Sequence, residues 1–446
     1  MGGLVRTMRS GAWLTPERAR LWAIAVLIAS LAGILYILAT AHGLIDYRGR
    51  PIGTDFSNVY AAGTYALEGK AALAFDAPSQ YAREKEIFGP ATPFYGWHYP
   101  PLFLLLAAAL ALLPYLAALA LWQGASLALY LLSIRKIVAG FPPSPPWGGS
   151  RAEGARGGAN AAKDPHPAAA PPTSPTRGEV LWLLLALAYP AVFVNLGHGQ
   201  NGFLTAGLLG FALALLERKP VAAGILFGLL AYKPQFGVLI PLVLIATGRW
   251  KSFAAAAVTV ALLVIAATAV FGVEVWPAFV KGAQFTREVV LESGNTGWEK
   301  IQSVFSWVRM WGGPVPLAYA LQTIVALAVA VATVWLWRSA ASFPVKAAGL
   351  VIASLLATPY SLDYDLMALA PAIAFLAVDG LARRFLPWEK TILAALWLMP
   401  LIARSAAEFA ALPLAVPLMI IALVLLLHRG TLRGNAHDDR SRFTLS

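Results

Sequence analysis

The feature that most limits what this chain can fold into is a series of apolar runs close to twenty residues long. Leu21 to Ala39, Phe253 to Phe271 and Leu317 to Trp337 each approach the ~20 residues a helix needs to cross a hydrocarbon layer of ~30 Å. In lipid every backbone N–H and C=O must be paired internally, so such runs read as membrane-spanning helices. Composition agrees: 59% of the 446 residues are hydrophobic and only 13% charged, against roughly a quarter charged in a soluble domain. A soluble core could not absorb that much apolar surface. The expected fold class is an all-α polytopic membrane protein.

The formal net charge of +12 does not point to nucleic acid, because the basic residues form short clusters between apolar runs rather than a stripe along one face. They read as topology signals. Arg6, Arg9, Arg18 and Arg20 precede the first span, which places residues 1–20 in the cytoplasm by the positive-inside rule. A cleaved signal peptide is the rival reading, but the apolar stretch is long and lacks a small-residue cleavage pattern. No cysteine is present, so no thiolate metal site or disulfide framework is available.

With the basic clusters at 135/136, 218/219, 249/251, 338/346, 383/384/390 and 428/429 on the cytoplasmic side, the spans alternate if there are about twelve crossings. Their approximate bounds are 21–40, 101–134, 180–196, 202–216, 221–232, 234–247, 252–272, 315–337, 346–359, 365–378, 391–404 and 412–427. The 101–134 stretch is too long for one crossing, and Pro114 can divide it. If it is a hairpin, every downstream side flips.

Two long segments fall on the far side, 42–99 and 273–314. The first mixes aromatics, charges and helix formers and is expected to hold amphipathic helices at the interface. The second carries Trp276, Trp298, Trp307 and Trp311 as interfacial anchors, and the two segments are expected to face each other. Residues 141–178 are rich in Pro, Gly, Ala and Ser with few large apolar side chains, which reads as a disordered cytoplasmic insertion. The polar tail at 428–446 is expected to be cytoplasmic and mobile.

Candidate chemistry lies at the span ends. In Gly53-Thr54-Asp55-Phe56 an acid stands just outside the membrane, where it can take a proton from an acceptor hydroxyl; the alternative is a helix cap. Tyr95-Gly96-Trp97-His98-Tyr99-Pro100-Pro101 suits interfacial anchoring, while His98 can also meet an anionic headgroup. Asn195 to Asn201 gathers His198, Gln200 and Asn201 in a glycine-rich turn that can equally be a tight helical hairpin. Lys233 interrupts an apolar stretch, where a lysine can hold a phosphate or snorkel to the interface. Asp363, Tyr364 and Asp365 form an acidic turn able to bind a divalent metal, order a lysine or cap a helix. Alternating topology puts these polar residues on one side, which implies a site at that face.

In this order, Gly-Thr-Asp-Phe, Tyr-Pro-Pro, Gly-His-Gly-Gln-Asn, Lys-Pro-Gln and Pro-Tyr-Ser-Leu-Asp-Tyr-Asp resemble glycosyltransferase family 87, which includes polyprenyl-phosphate-mannose-dependent alpha-1,2-mannosyltransferases. The resemblance covers roughly residues 20 to 425 apart from 141–178. It implies a GT-C-type bundle of about 12 transmembrane helices spanning 21–427 in a bacterial inner membrane, with periplasmic loop helices and a periplasmic active site. The implied reaction is an inverting transfer of mannose or another hexose from a polyprenyl-phosphate donor to a lipid or glycan acceptor. On this resemblance Asp55 matches the proposed base and Lys233 a candidate ligand of the donor phosphate. His198, Gln200, Asn201, Tyr99 and His98 are expected to line the donor site, supported by the Asp363, Tyr364 and Asp365 turn.

The chemistry is consistent with that implication. Inverting transfer onto an acceptor with a phosphate leaving group needs one base and one stabilising cation, not the carboxylate pair of a glycosidase. No Gly-rich phosphate loop suits a nucleotide sugar. No cofactor is expected, and nothing in the pattern specifically supports a divalent metal; membrane lipids are the surrounding partners. A transporter or flippase of lipid-linked sugars is the alternative, predicting polar residues near the midplane and internal repeats. A non-catalytic scaffold is the third reading.

Overall fold

The computed structural model describes residues 2–140 and 177–443, and every regular element among them is helical. The chain runs through α1 (Gly2–Ser10), α2 (Pro16–Ala39), α3 (Phe56–Leu67), α4 (Ala77–Phe88), α5 (Pro101–Ala111) and α6 (Tyr115–Gly140). It continues with α7 (Arg177–Leu187), α8 (Pro190–His198), α9 (Gly202–Leu215), α10 (Pro220–Leu229), α11 (Pro234–Gly237), α12 (Leu239–Ala246) and α13 (Trp250–Phe271). The last third comprises α14 (Val275–Phe285), α15 (Val304–Met310), α16 (Val315–Arg338), α17 (Phe343–Ala357), α18 (Leu369–Arg383), α19 (Glu389–Ala410) and α20 (Ala415–Phe443).

Prolines set many of the starts. They occupy the first turn of α2, α5, α8, α10, α11, α16 and α17, where the missing N–H removes no intrahelical bond. The same prolines cut apolar runs into pieces, and the count of about twelve crossings finds no support in helix length. Among the described residues, six helices are long and apolar enough to cross a membrane: Pro16–Ala39, Tyr115–Gly140, Trp250–Phe271, Val315–Arg338, Asp363–Arg383 and Glu389–Ala410. The pair Val180–Leu187 and Pro190–His198, bent by 49° at its break, makes a seventh if it acts as one span. The stretches expected at 202–216, 221–232, 234–247, 346–359 and 412–427 are instead shorter apolar helices. Residues 101–134 are indeed two helices, broken just before Pro114.

Burial separates the helices into two groups. α17 is buried on nearly every side and α18 almost as fully, so together they form the centre of the bundle. α2, α13 and α16 direct most of their apolar surface outward, as helices do when their solvent is lipid.

The basic clusters share one end. Arg249 pairs with Glu217 and lies over the Trp337 ring, while the Ser252 hydroxyl donates to Pro220 O. The Arg429 guanidinium reaches both Glu389 (2.6 Å) and Asp379 (2.7 Å), and the Thr391 hydroxyl donates to Met8 O at 2.7 Å. α1 is thereby fastened to the start of α19. The polar turns of 53–56, 195–202 and 358–365 gather at the other end.

The two long segments do meet. α3 packs along α5 so closely that a Cβ on Gly63 would fall 2.2 Å from Ala107 O, so this helix enters the bundle instead of lying on its surface. Phe75 stacks edge-on against Phe279 at 5.8 Å, and His98 Nδ1 lies 2.8 Å from Thr286 Oγ1. Among the four tryptophans, Trp311 is 68% exposed, whereas the Trp298 indole is turned inward to donate to Leu291 O. The expectation for 141–178 lies almost entirely outside the described residues. In the tail, α20 continues as helix to Phe443.

Candidate active site

The 53–56 turn, the 195–202 turn, the α10–α11 break and the 358–365 turn enclose a cavity of about 590 Å³. Each is placed by a local necessity. Gly53 turns the chain with φ of 69°. Gly199 closes α8 in the left-handed region and lies so near α3 that a Cβ would stand 2.6 Å from Phe56 Cβ. The backbone of the two turns is joined directly, Asp55 N donating to His198 O at 2.9 Å. From α6, the Trp122 indole donates to Gly199 O at 3.0 Å and the Gln123 amide to Gln200 O at 3.2 Å.

Asp55 stands at the start of α3, yet its side chain makes no capping bond. Its Oδ2 accepts from Gln200 Nε2 at 2.7 Å, and Oδ1 lies 3.9 Å from His198 Nδ1, which is itself 2.8 Å from Thr54 Oγ1. Gln200 is held from behind, its Oε1 accepting from the Tyr99 hydroxyl at 3.1 Å. The amide is thus fixed by its network in the orientation that donates to the carboxylate. About a quarter of the Asp55 side chain (23%) remains open to the cavity.

Lys233 is 3% exposed and its Nζ donates to Asp365 Oδ1. The Tyr364 ring lies 4.7 Å from the ammonium and Phe236 5.6 Å. Asp365 Oδ2 accepts from Leu362 N at 3.0 Å, so both oxygens of this acid have partners within the protein. Asp363 serves other partners: its Oδ1 accepts from Tyr364 N at 2.8 Å and its Oδ2 lies 3.9 Å from the Arg404 guanidinium. The acidic turn therefore orders a lysine with one carboxylate and meets an arginine with the other.

Of the residues singled out in the sequence, Asp55, His98, Tyr99, His198, Gln200, Lys233, Tyr364 and Asp365 line this cavity. Asn201 and Asp363 do not. Asn201 is buried at the head of α9, where its backbone carbonyl accepts from Thr205. His98 is engaged at both nitrogens, by Thr286 and by Tyr95 O at 3.2 Å. Burial lowers its pKa, which favours a neutral imidazole that ties the two segments together over a charge for an anion.

Sequence reasoning missed Arg404, Lys300, Thr296 and Thr286 in the lining. Arg404 had a signal, an arginine inside an apolar run. The other three come from 273–314, whose fold the local sequence does not specify. Glu84 was also missed: fully buried on α4, it accepts from Tyr95 N at 3.0 Å and Gly96 N at 3.1 Å and so shapes the arc that carries His98 and Tyr99. Burial raises its carboxyl to about 7. A larger cavity of about 880 Å³ near α1 is lined almost wholly by apolar side chains such as Trp182, Tyr189 and Trp397 and offers little to carry chemistry.

The sequence model of glycosyltransferase family 87 matches residues 97–359, more than half of the chain. The protein belongs to glycosyltransferase family 87. Neither the curated proteins nor the solved structures compared with the chain gave a match. For a family 87 member the working class is a membrane-embedded glycosyltransferase, in preference to a transporter or scaffold. The matched stretch includes Tyr99, His198, Gln200 and Lys233; Asp55, Asp365 and Arg404 lie beyond it but complete the same cavity.

Proposed function

We propose that this glycosyltransferase moves a hexose, with mannose the first candidate, from a polyprenyl-phosphate donor to a hydroxyl of a lipid or glycan acceptor, with inversion at the anomeric carbon. The single observation that carries the reading is Asp55: an uncapping carboxylate, partly open to the cavity and held on its other oxygen by Gln200. A base so placed accepts the acceptor's proton while the acceptor oxygen attacks the anomeric carbon. The bond from that carbon to the phosphate oxygen breaks, and the polyprenyl phosphate leaves with the electron pair. Gln200 occupies one carboxylate oxygen and leaves the other for the incoming hydroxyl.

The membrane setting supports a lipid-linked donor, because an isoprenoid tail can stay in the hydrocarbon while its sugar enters a cavity at one end of the bundle. The basic clusters at the opposite end support a cytoplasmic placement of that end under the positive-inside rule. The active site then faces the periplasm of a bacterial inner membrane, where nucleotide sugars are not made and a lipid carrier is needed.

The test is transfer by purified protein in liposomes, with radiolabelled polyprenyl-phosphate mannose and an extract of envelope lipids and glycans as acceptor. Label passing to the acceptor fraction is the expected result. Transfer from a nucleotide sugar but not from the lipid donor would overturn the reading.

A further inference from the structure

Four cations line the cavity: Arg50, Lys233, Lys300 and Arg404. They are not equivalent. Lys233 is neutralised by Asp365 and enclosed by aromatic rings. Arg50 is exposed on the hydrophilic turn at 46–50. Arg404 differs from both. Its nearest carboxylate among the described residues is Asp363, at 3.9 Å, the limit of an ion pair, and 41% of its side chain is open. Lys300, on the 298–300 turn that packs against α19, has no ion-pair partner among the described residues. Thr296, in the same stretch, keeps a buried hydroxyl oxygen that finds no hydrogen-bond partner among the described residues and lines the same cavity.

The position of Arg404 is physically expensive. Its neighbours on α19, Leu401 and Ile402, are 58% and 50% exposed and Phe409 is 84% exposed, so this helix presents an apolar surface to the bilayer. An arginine in such a helix is unfavourable unless it has a partner or faces a water-filled cavity. It is far from the basic end, since α19 begins at Glu389 and about 22 Å of helix separates that residue from Arg404 at 1.5 Å per residue. A polar cavity bordered by lipid, with an incompletely paired guanidinium on its wall, matches a ligand whose anionic head enters while its tail remains in the membrane.

We propose that Arg404, assisted by Lys300, is the anion subsite that grips the phosphate of the lipid-linked donor. The proposal rests on the donor reading above and replaces Lys233 in that role, leaving Lys233 to order the acidic turn. A guanidinium presents two parallel N–H donors that match phosphate geometry, which an ammonium does not. The donor is a phosphodiester with one negative charge; the departing polyprenyl phosphate is a monoester that carries more. A cation on that oxygen group therefore binds the transition state and the product more strongly than the substrate. Arg404 projects from α19 and Asp55 from the 53–56 turn, so the leaving group and the base are held by different walls of one cavity, as an in-line displacement requires.

The experiment compares binding of polyprenyl monophosphate and the uncharged polyprenol to detergent-solubilised full-length protein, by native mass spectrometry, alongside inhibition of transfer by polyprenyl monophosphate. Wild type is expected to prefer the phosphate, and Arg404→Gln to lose roughly tenfold or more of that preference, the scale of one charged hydrogen-bonded contact. Binding of polyprenol should not change. Arg404→Lys should recover only part of the loss, and Lys300→Gln should give a smaller one, which keeps the test open if the glutamine variant does not fold. A wild type without preference for the phosphate would remove the donor reading and this proposal with it. A preference that survives unchanged in folded Arg404→Gln would overturn the subsite alone.

Discussion

Gln200 Nε2 donates to Asp55 Oδ2 at 2.7 Å, and its other end is fixed by the Tyr99 hydroxyl at 3.1 Å. Three residues from separate parts of the chain thereby set the direction of one carboxylate. Replacing Gln200 with Ala frees the carboxylate to rotate, and displacement of a reacting group by about 1 Å can cost 10²-fold in rate. Steady-state kinetics of Gln200→Ala should show kcat falling by about that factor with little change in donor KM. Tyr99→Phe removes only the supporting hydroxyl and should cost several-fold. A Gln200 variant with unchanged kcat would show that Asp55 needs no orientation.

The buried Lys233 and Asp365 pair predicts a stability effect. Lys233→Met leaves Asp365 uncompensated in the bundle, and breaking such a pair typically costs ~3–5 kcal/mol. Thermal unfolding in detergent should therefore show a large loss for Lys233→Met and substantial recovery in Lys233→Met with Asp365→Leu. Full stability of the single variant, together with lost transfer, would mean that the ammonium acts on substrate instead.

Glu84 gives a pH dependence with a definite sign. Burial raises its carboxyl from 4.5 to about 7, with the charge of Asp55 acting in the same direction and the Tyr95 and Gly96 N–H groups opposing. Between those values the docked segment holds a proton that the undocked chain releases. The contribution of this group is fully present below pH 4.5 and is lost as pH rises through about 7. Hydrogen exchange of residues 89–98, corrected for intrinsic rates, should show protection falling across that window in wild type. Glu84→Gln, which cannot ionise, should flatten the profile; an unchanged slope in that variant would assign the effect elsewhere.

What the sequence made legible followed from long-range physics with a local signature. Apolar length identified the membrane helices, and polar residues at breaks in apolar runs located His198, Gln200, Lys233 and Asp365, because a polar group beside lipid is seldom without purpose. Crossings were harder to count, since Pro114, Pro190 and Pro234 divide runs whose length alone suggested full spans. Partners were invisible. Nothing near Lys233 in sequence indicates that its charge is matched by Asp365, 132 positions away. Arg404 was only partly legible: an arginine in an apolar run is a signal, but it coincided with the expected span end at 404, where an arginine looks like an interfacial anchor, whereas α19 continues to Ala410. Glu84 lies in a polar helix, and only the fold shows that it is buried.

In the proposed reaction Asp55 removes the acceptor's proton. The most direct measurement compares sugar transfer by wild type and Asp55→Asn in liposomes with the polyprenyl-phosphate donor, after both are shown to be equally folded and to bind polyprenyl phosphate equally. Loss of a general base lowers the rate by about 10²–10⁴-fold, so a fall of at least about 100-fold is expected in Asp55→Asn. Transfer within a few-fold of wild type by the variant would contradict it.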